Sequence, residues 1–295
     1  MATATVRRRL REMETDLKTL RRQETLPLVE RIRQDPAQTM IQVGLVPDGW
    51  QTNLLRTSWT RALLLCSRQA GKSQVAGALA LSEALTRPGS LILLLAQNQR
   101  ASGELFRDKL LPLWRALGRP VQDRPPTQLT LELSNGSRIV SLPTSEGGIR
   151  SYSGVRLLVV DEAARVPDDL YRAVRPMLAV SQGRMICMST PFGKRGFFFE
   201  EWTSKRSWKR VKIKATSCPR ITAEFLAEER AALGERWFRQ EYLCSFEDVI
   251  GAVFSYEDIQ AAITDDVKPL FPVPTTAPVC EPDEDVEALF GSGEF

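Results

Sequence analysis

Apolar residues in this chain gather in short, unbroken runs separated by longer stretches with helical spacing. Ala62–Cys66, Leu91–Ala96, Leu157–Val160 and Met185–Met188 are apolar or nearly so throughout. Runs of this length predict parallel strands buried on both faces. Between them, helices are predicted from Gln74 to about Leu85, from Ala101 to about Leu117 and from Asp168 to about Leu178, with a turn at Pro88-Gly89. Leu129–Leu133 and Arg138–Leu142 flank Ser134-Asn135-Gly136-Ser137, a hairpin signal. Phe197–Trp202 reads as a short helix and Trp208–Lys214 alternates like a strand. Thr222 can cap a helix over Ala223–Leu233, and Glu235–Phe246 predicts a separate one. Leu10, Met13, Leu17 and Leu20 place an amphipathic helix within residues 1–35, and Pro47-Asp48-Gly49-Trp50-Gln51 opens a short helix over Thr52–Thr57. Strands alternating with helices predict an α/β fold built on a doubly wound, mainly parallel sheet.

The first strand leads into Cys66-Ser67-Arg68-Gln69-Ala70-Gly71-Lys72-Ser73, and a helix follows. A strand, a short polar loop and a helix opening on Gly-Lys-Ser form a P-loop. Its backbone N–H groups wrap nucleotide phosphates, Lys reaches the β and γ phosphates, and the Ser hydroxyl ligates Mg²⁺. The pattern asks for Gly where this chain has Cys66, and a chance Gly-Lys-Ser in a surface turn is the competing reading. Leu157-Leu158-Val159-Val160 carries Asp161-Glu162 to the strand edge where open α/β sheets bind ligands. Asp161 suits the Mg²⁺ and Glu162 suits general-base activation of water. The same pair can also be a plain strand end. Ser189-Thr190-Pro191 closes the following strand, where a hydroxyl can meet a γ-phosphate or simply make a turn before Pro.

Composition narrows the chemistry. The chain has 295 residues and no histidine, which excludes His-based bases, Ser-His-Asp triads and His metal ligands. Five dispersed cysteines without a C-x-x-C pair suggest reduced thiols. No apolar run is long enough to span a membrane, and the Arg-rich N-terminus has no apolar core of a leader, so a cytoplasmic chain is expected. Residues 247–295 hold twelve acidic residues against one basic, whereas residues 1–246 hold 39 basic against 24 acidic. A basic body of net +15 suits a polyanion partner such as nucleic acid, or serves solubility alone. Lys194–Lys214 holds eight basic residues with Trp202 and Trp208 among them, a candidate groove for duplex phosphates. The acidic clusters Asp265-Asp266 and Asp283-Glu284-Asp285 follow no buried strand, so they read as solvated tail and not as a two-metal site.

Taken in order, these motifs resemble the ATPase domain of the large terminase subunit of tailed phages, over residues 45–256. Trp50-Gln51 is similar to that family's adenine-reading motif. Ser67–Ser73 resembles its P-loop, which often lacks the first Gly, and Val159–Ala164 resembles its Walker B segment. Leu133–Arg138 and Arg150–Ser153 resemble the hairpin and the Arg-containing turn before that strand. Ser189-Thr190-Pro191 with Gly193 resembles the coupling motif, and Phe238–Cys244 with Gly251–Phe254 resembles the end of the ATPase region. The resemblance implies an ATP- and Mg²⁺-dependent motor that moves double-stranded DNA into procapsids. It implies work as a homo-oligomeric ring with a small terminase subunit and a portal, and no membrane. It also implies Arg68 acting in cis and Arg150 acting in trans from a neighbouring subunit. The expected layout is a helical arm over 1–45, a P-loop NTPase core over 46–217, a helical subdomain completed by 218–256, and an acidic tail over 257–295. The family usually continues into a nuclease domain, which is not expected here. A helicase-like DNA-stimulated ATPase and a non-catalytic ATP- or DNA-binding assembly module are the alternatives.

Overall fold

Seven strands form one sheet in the order β3-β4-β2-β5-β6-β1-β7. In this computed structural model the described residues are 27–127, 129–145, 147–248 and 256–263. Expectations placed on 1–26, on 251–254 and on 264–295 lie outside them. The strands are β1 (Arg61–Cys66), β2 (Leu91–Ala96), β3 (Thr130–Glu132), β4 (Arg138–Pro143), β5 (Val155–Asp161), β6 (Arg184–Ser189) and β7 (Lys209–Ile213). All neighbours are parallel except β3 and β4, which form the hairpin predicted around Asn135-Gly136. There Gly136 takes a φ of 85°, a conformation Gly reaches at no steric cost.

The all-apolar strands work because helices cover both faces. Ala62, Leu64, Ile92, Leu94, Leu157, Val159, Ile186 and Met188 point into one core layer. Leu63, Leu65, Leu93, Leu95, Leu158, Val160, Met185 and Cys187 point into the other. Period-2 alternation thus feeds two cores from one strand set. The first layer is capped by α4 (Lys72–Thr86) and by a long helical stretch made of α5 (Gln99–Glu104), a π-helical turn at Leu105–Leu110 and α6 (Leu111–Ala116). Pro112 lies just past that widened turn. It has no N–H to donate and its ring crowds the carbonyl four residues back, which disfavours tight α winding. The second layer is covered by α7 (Asp168–Val174) and α8 (Gly196–Thr203). The helix expected to run to Leu178 changes to a 3₁₀ turn at Arg175–Leu178, where Pro176 lacks the α-helical donor.

Before β1 lie α1 (residues 27–34), α2 (Gln38–Ile41) and α3 (Gly49–Arg56). The two helices expected after Thr222 are both present within the span α9 (Ala223–Glu241), meeting at non-helical Gly234 with φ 75° and ψ 162°; the second ends at Glu241, short of the expected Phe246. Thr222 caps it, its hydroxyl accepting from the Phe225 N–H at 3.2 Å. The chain divides into two compact units, residues 1–250 and 251–295; in the second, α10 (Tyr256–Ala262) is the described element. No helix among the described residues is long and apolar enough to cross a membrane.

Candidate nucleotide site

Because β6 lies between β1 and β5, three strand ends meet at one edge of the sheet. The loop after β1, the Asp161-Glu162 corner after β5 and Thr190 after β6 converge there. The loop, Glu162 and Thr190, with Gln97 after β2, line a cavity of about 410 Å³. Arg68, Gln69, Ala70, Gly71, Lys72, Ser73, Glu162 and Thr190 all line it. Cys66 is the last residue of β1, in register with Ile213 and fully buried. It needs no left-handed backbone, which is why the missing Gly does not disturb the loop. Burial pushes its thiol pKa up. Gly71 caps α4 at φ 86°, a turn that suits Gly.

The loop is anchored at its base. The Ser67 N–H donates to the Ile213 carbonyl at 2.8 Å and the Arg68 N–H to the Glu241 carbonyl at 3.2 Å. Arg68 Nε also pairs with the buried Glu241 carboxylate at 2.6 Å, so the loop is tied to the end of α9. Gln51 lies beneath the loop. Its amide donates to the Gly71 carbonyl at 3.1 Å and accepts from the Asp48 N–H at 2.9 Å. Asp48 in turn takes both terminal nitrogens of Arg220 at 2.8 and 2.7 Å.

Inside the cavity Lys72 and Glu162 are already paired. Lys72 Nζ is 2.7 Å from Glu162 Oε1. Burial pulls the Lys72 pKa down, but Glu162 and Asp161 outweigh it and the net direction is up, so the ammonium stays charged. Asp161 is half-buried close by, and desolvation raises its pKa to about 6 against the opposing pull of Lys72. The Ser73 hydroxyl donates to Asp161 Oδ2 at 3.4 Å. An oxygen pair at the mouth of a phosphate loop fits a hard cation such as Mg²⁺, which shares its remaining positions with phosphate and water. Among the described residues no group of three or more Cys, Asp or Glu gathers to hold a metal by itself. Glu162 takes a left-handed backbone at φ 50° and ψ 41°, uncommon for a residue with a side chain. That corner turns Glu162 into the cavity while Asp161 meets Ser73.

Some expected residues lie elsewhere. Trp50 packs half-buried against the core under α4, and Ser67 is fully buried. Arg150 is exposed on the 3₁₀ turn Gly147–Ser151 and is not part of the cavity wall. The basic stretch is also less available than its sequence implies. Arg210 donates to the carbonyls of Glu201, Trp202, Ser204, Arg206 and Trp208. Arg206 pairs with buried Glu201, Lys194 with Asp248, and Lys209 with Asn53 and Thr57. Phe197, Phe198 and Phe199 are core residues. Gln74, Gln97, Lys109 and Arg165 complete the cavity wall and were not singled out from the sequence. Arg165 carried a local signal, since it follows Glu162 by three residues. Lys109 carried none, because only the π-helical turn brings it round.

The family model for the large terminase subunit, T4likevirus type, N-terminal part, matches residues 63–261. The chain belongs to this family. It is 27% identical over 231 residues to the terminase large subunit of Escherichia phage T5, covering 73% of this chain and 51% of that protein. It therefore spans about half the length of that curated relative. Among solved structures, the large terminase ATPase domain of Thermus phage P74-26 matches with a TM-score of 0.62 at 20% identity, over 70% of this chain and 97% of that one. The HK97 bacteriophage large terminase matches with a TM-score of 0.57 at 15% identity, over 68% and 51%. These likenesses establish the fold: a mixed α/β, mostly parallel seven-stranded sheet of the terminase ATPase, P-loop type.

Proposed function

We propose that this chain is the ATP-hydrolysing motor part of a phage large terminase, which drives double-stranded DNA into a procapsid. The observation that carries the reading is the convergence of Lys72, Ser73, Glu162 and Thr190 on one cavity, with Asp161 accepting from Ser73. A large terminase from a thermophilic bacteriophage with this fold has been solved with ADP and with ATP-γ-S, which supports the choice of nucleotide.

In this reading the loop from Ser67 to Ser73 cradles the phosphates, and Lys72 moves from Glu162 to the β and γ oxygens. Ser73 and Asp161 would hold a magnesium ion, which would supply charge neutralisation at the phosphates. Glu162 accepts a proton from the attacking water. Trp50 and Gln51 serve the adenine side, for which Gln51 exchanges its Gly71 bond. Thr190 senses the γ-phosphate, Arg68 neutralises phosphate in cis, and the exposed Arg150 acts on a neighbouring subunit's nucleotide. The helices flanking the sheet, α1 and α2 with α9, make the subdomain that moves against it. A ring of copies working in the host cytoplasm with a small subunit and a portal completes the assembly.

The direct test is Glu162→Gln. It should retain ATP binding and lose turnover by about 100-fold or more. Hydrolysis at the parent rate would remove Glu162 from the role of base.

A further inference from the structure

Three donors hold the Glu162 carboxylate, and they divide between its two oxygens. Oε1 takes the Lys72 ammonium at 2.7 Å. Oε2 takes Arg165 Nη1 at 3.2 Å and the Ser189 hydroxyl at 3.4 Å. The two sides differ in kind. Lys72 stands on the phosphate-binding helix, where an incoming phosphate competes for it. The guanidinium of Arg165 is fixed from several directions. The same Nη1 lies 3.3 Å from Thr190 Oγ1, and its carbon lies 4.5 Å from the centre of the Phe192 ring. Its side chain is only 20% exposed. Backbone geometry puts it there, because left-handed Glu162 starts the 3₁₀ turn Ala163–Arg165 and the Arg165 N–H returns to the Glu162 carbonyl at 2.9 Å.

We infer that Arg165 is the positioning residue of the catalytic base: it pins Oε2 of Glu162 and joins it to Thr190, leaving Oε1 to face the attacking water. The inference rests on the ATPase reading above. When Lys72 turns to phosphate, Oε1 loses its partner while Oε2 keeps Arg165 and Ser189. The carboxylate then keeps one orientation. Oε1 accepts the water proton as the water oxygen bonds to the γ-phosphorus. The bond from that phosphorus to the bridging oxygen breaks, and ADP leaves with the electron pair. The link from Arg165 through Thr190 to Phe192 gives the segment after β6 a direct report of where the base points. A guanidinium suits this task because its planar fork can serve two acceptors at once.

The test uses the whole chain and measures ATP hydrolysis together with equilibrium binding of a fluorescent ATP analogue. Arg165→Ala should lower kcat by about 10- to 100-fold, the scale of a misplaced catalytic group, with KM within about twofold of the parent. Arg165→Lys should recover part of kcat. Thr190→Val should lower kcat alone but add little in the Arg165→Ala background, since the link is already cut. Parent-like kcat in Arg165→Ala would overturn the inference. So would a fall in kcat matched by an equal fall in binding stoichiometry, which marks lost fold. If the parent shows no Lys72-dependent hydrolysis, the ATPase reading itself fails and this inference falls with it.

Discussion

Lys72 spends its charge on Glu162 at 2.7 Å, so a phosphate entering the loop must compete with a carboxylate. Removing that competitor's charge should favour the phosphate. Glu162→Gln is therefore expected to bind ATP more tightly, by roughly threefold to tenfold, the scale of a partly exposed ion pair; titration calorimetry reads this, and unchanged or weaker binding would count against the competition. Gly71 offers a second test. A Cβ there would meet the Gln51 amide nitrogen at 2.8 Å, at a φ of 86°. Gly71→Ala should keep the far-ultraviolet circular dichroism of the parent and weaken ATP binding by about tenfold or more. Lys72, Ser73, Asp161, Glu162 and Thr190 were legible in the sequence because each closes a strand or opens a helix at a fixed spacing. Arg165 and Lys109 were not, because a left-handed corner and a π-helical turn direct them. The same holds for Glu241, which meets Arg68 across 173 positions.

At the scale of elements, the apolar runs predicted the cores of β1, β2, β5 and β6, because a strand buried on both faces is apolar along its middle; the polar ends Arg61, Arg156, Asp161 and Arg184 lay outside those runs. The break in α9 was also legible, because Gly234 separates two stretches of helical spacing. Gly234 at φ 75° and ψ 162° lies where only Gly is at ease, and nothing crowds its missing Cβ. Gly234→Ala should therefore destabilise the fold by about 1–3 kcal/mol through backbone strain alone, measured as a lowered denaturation midpoint. A pH-dependent tie holds the turn before α2 to α3. Arg56 bonds both oxygens of Asp35 at 2.9 and 2.8 Å and is the main reason its pKa falls from 3.8 to about 2. A depressed carboxylate pKa stabilises the fold above 3.8, and that stabilisation is lost as pH falls toward 2. Arg56→Ala should thus be less stable than the parent at neutral pH, with the gap closing between about pH 4 and pH 2. A gap that stays constant with pH in urea titrations would assign the effect to packing.

For the whole molecule, seven strands in one order bring the Gly-Lys-Ser loop, the carboxylate corner and the Ser189-Thr190-Pro191 segment to a single edge. The motif order made that convergence legible, while the hydrogen-bonded roles of Lys194, Arg206, Lys209 and Arg210 were hidden behind a plain excess of basic charge. If the proposed DNA partner binds, its phosphates are left to the basic side chains that the fold exposes, and any DNA effect should weaken steeply with salt. The most direct measurement is ATP hydrolysis by the chain with and without linear duplex DNA, beside Lys72→Ala. Turnover that rises with DNA and disappears in Lys72→Ala is the predicted result; turnover that survives Lys72→Ala unchanged would contradict it.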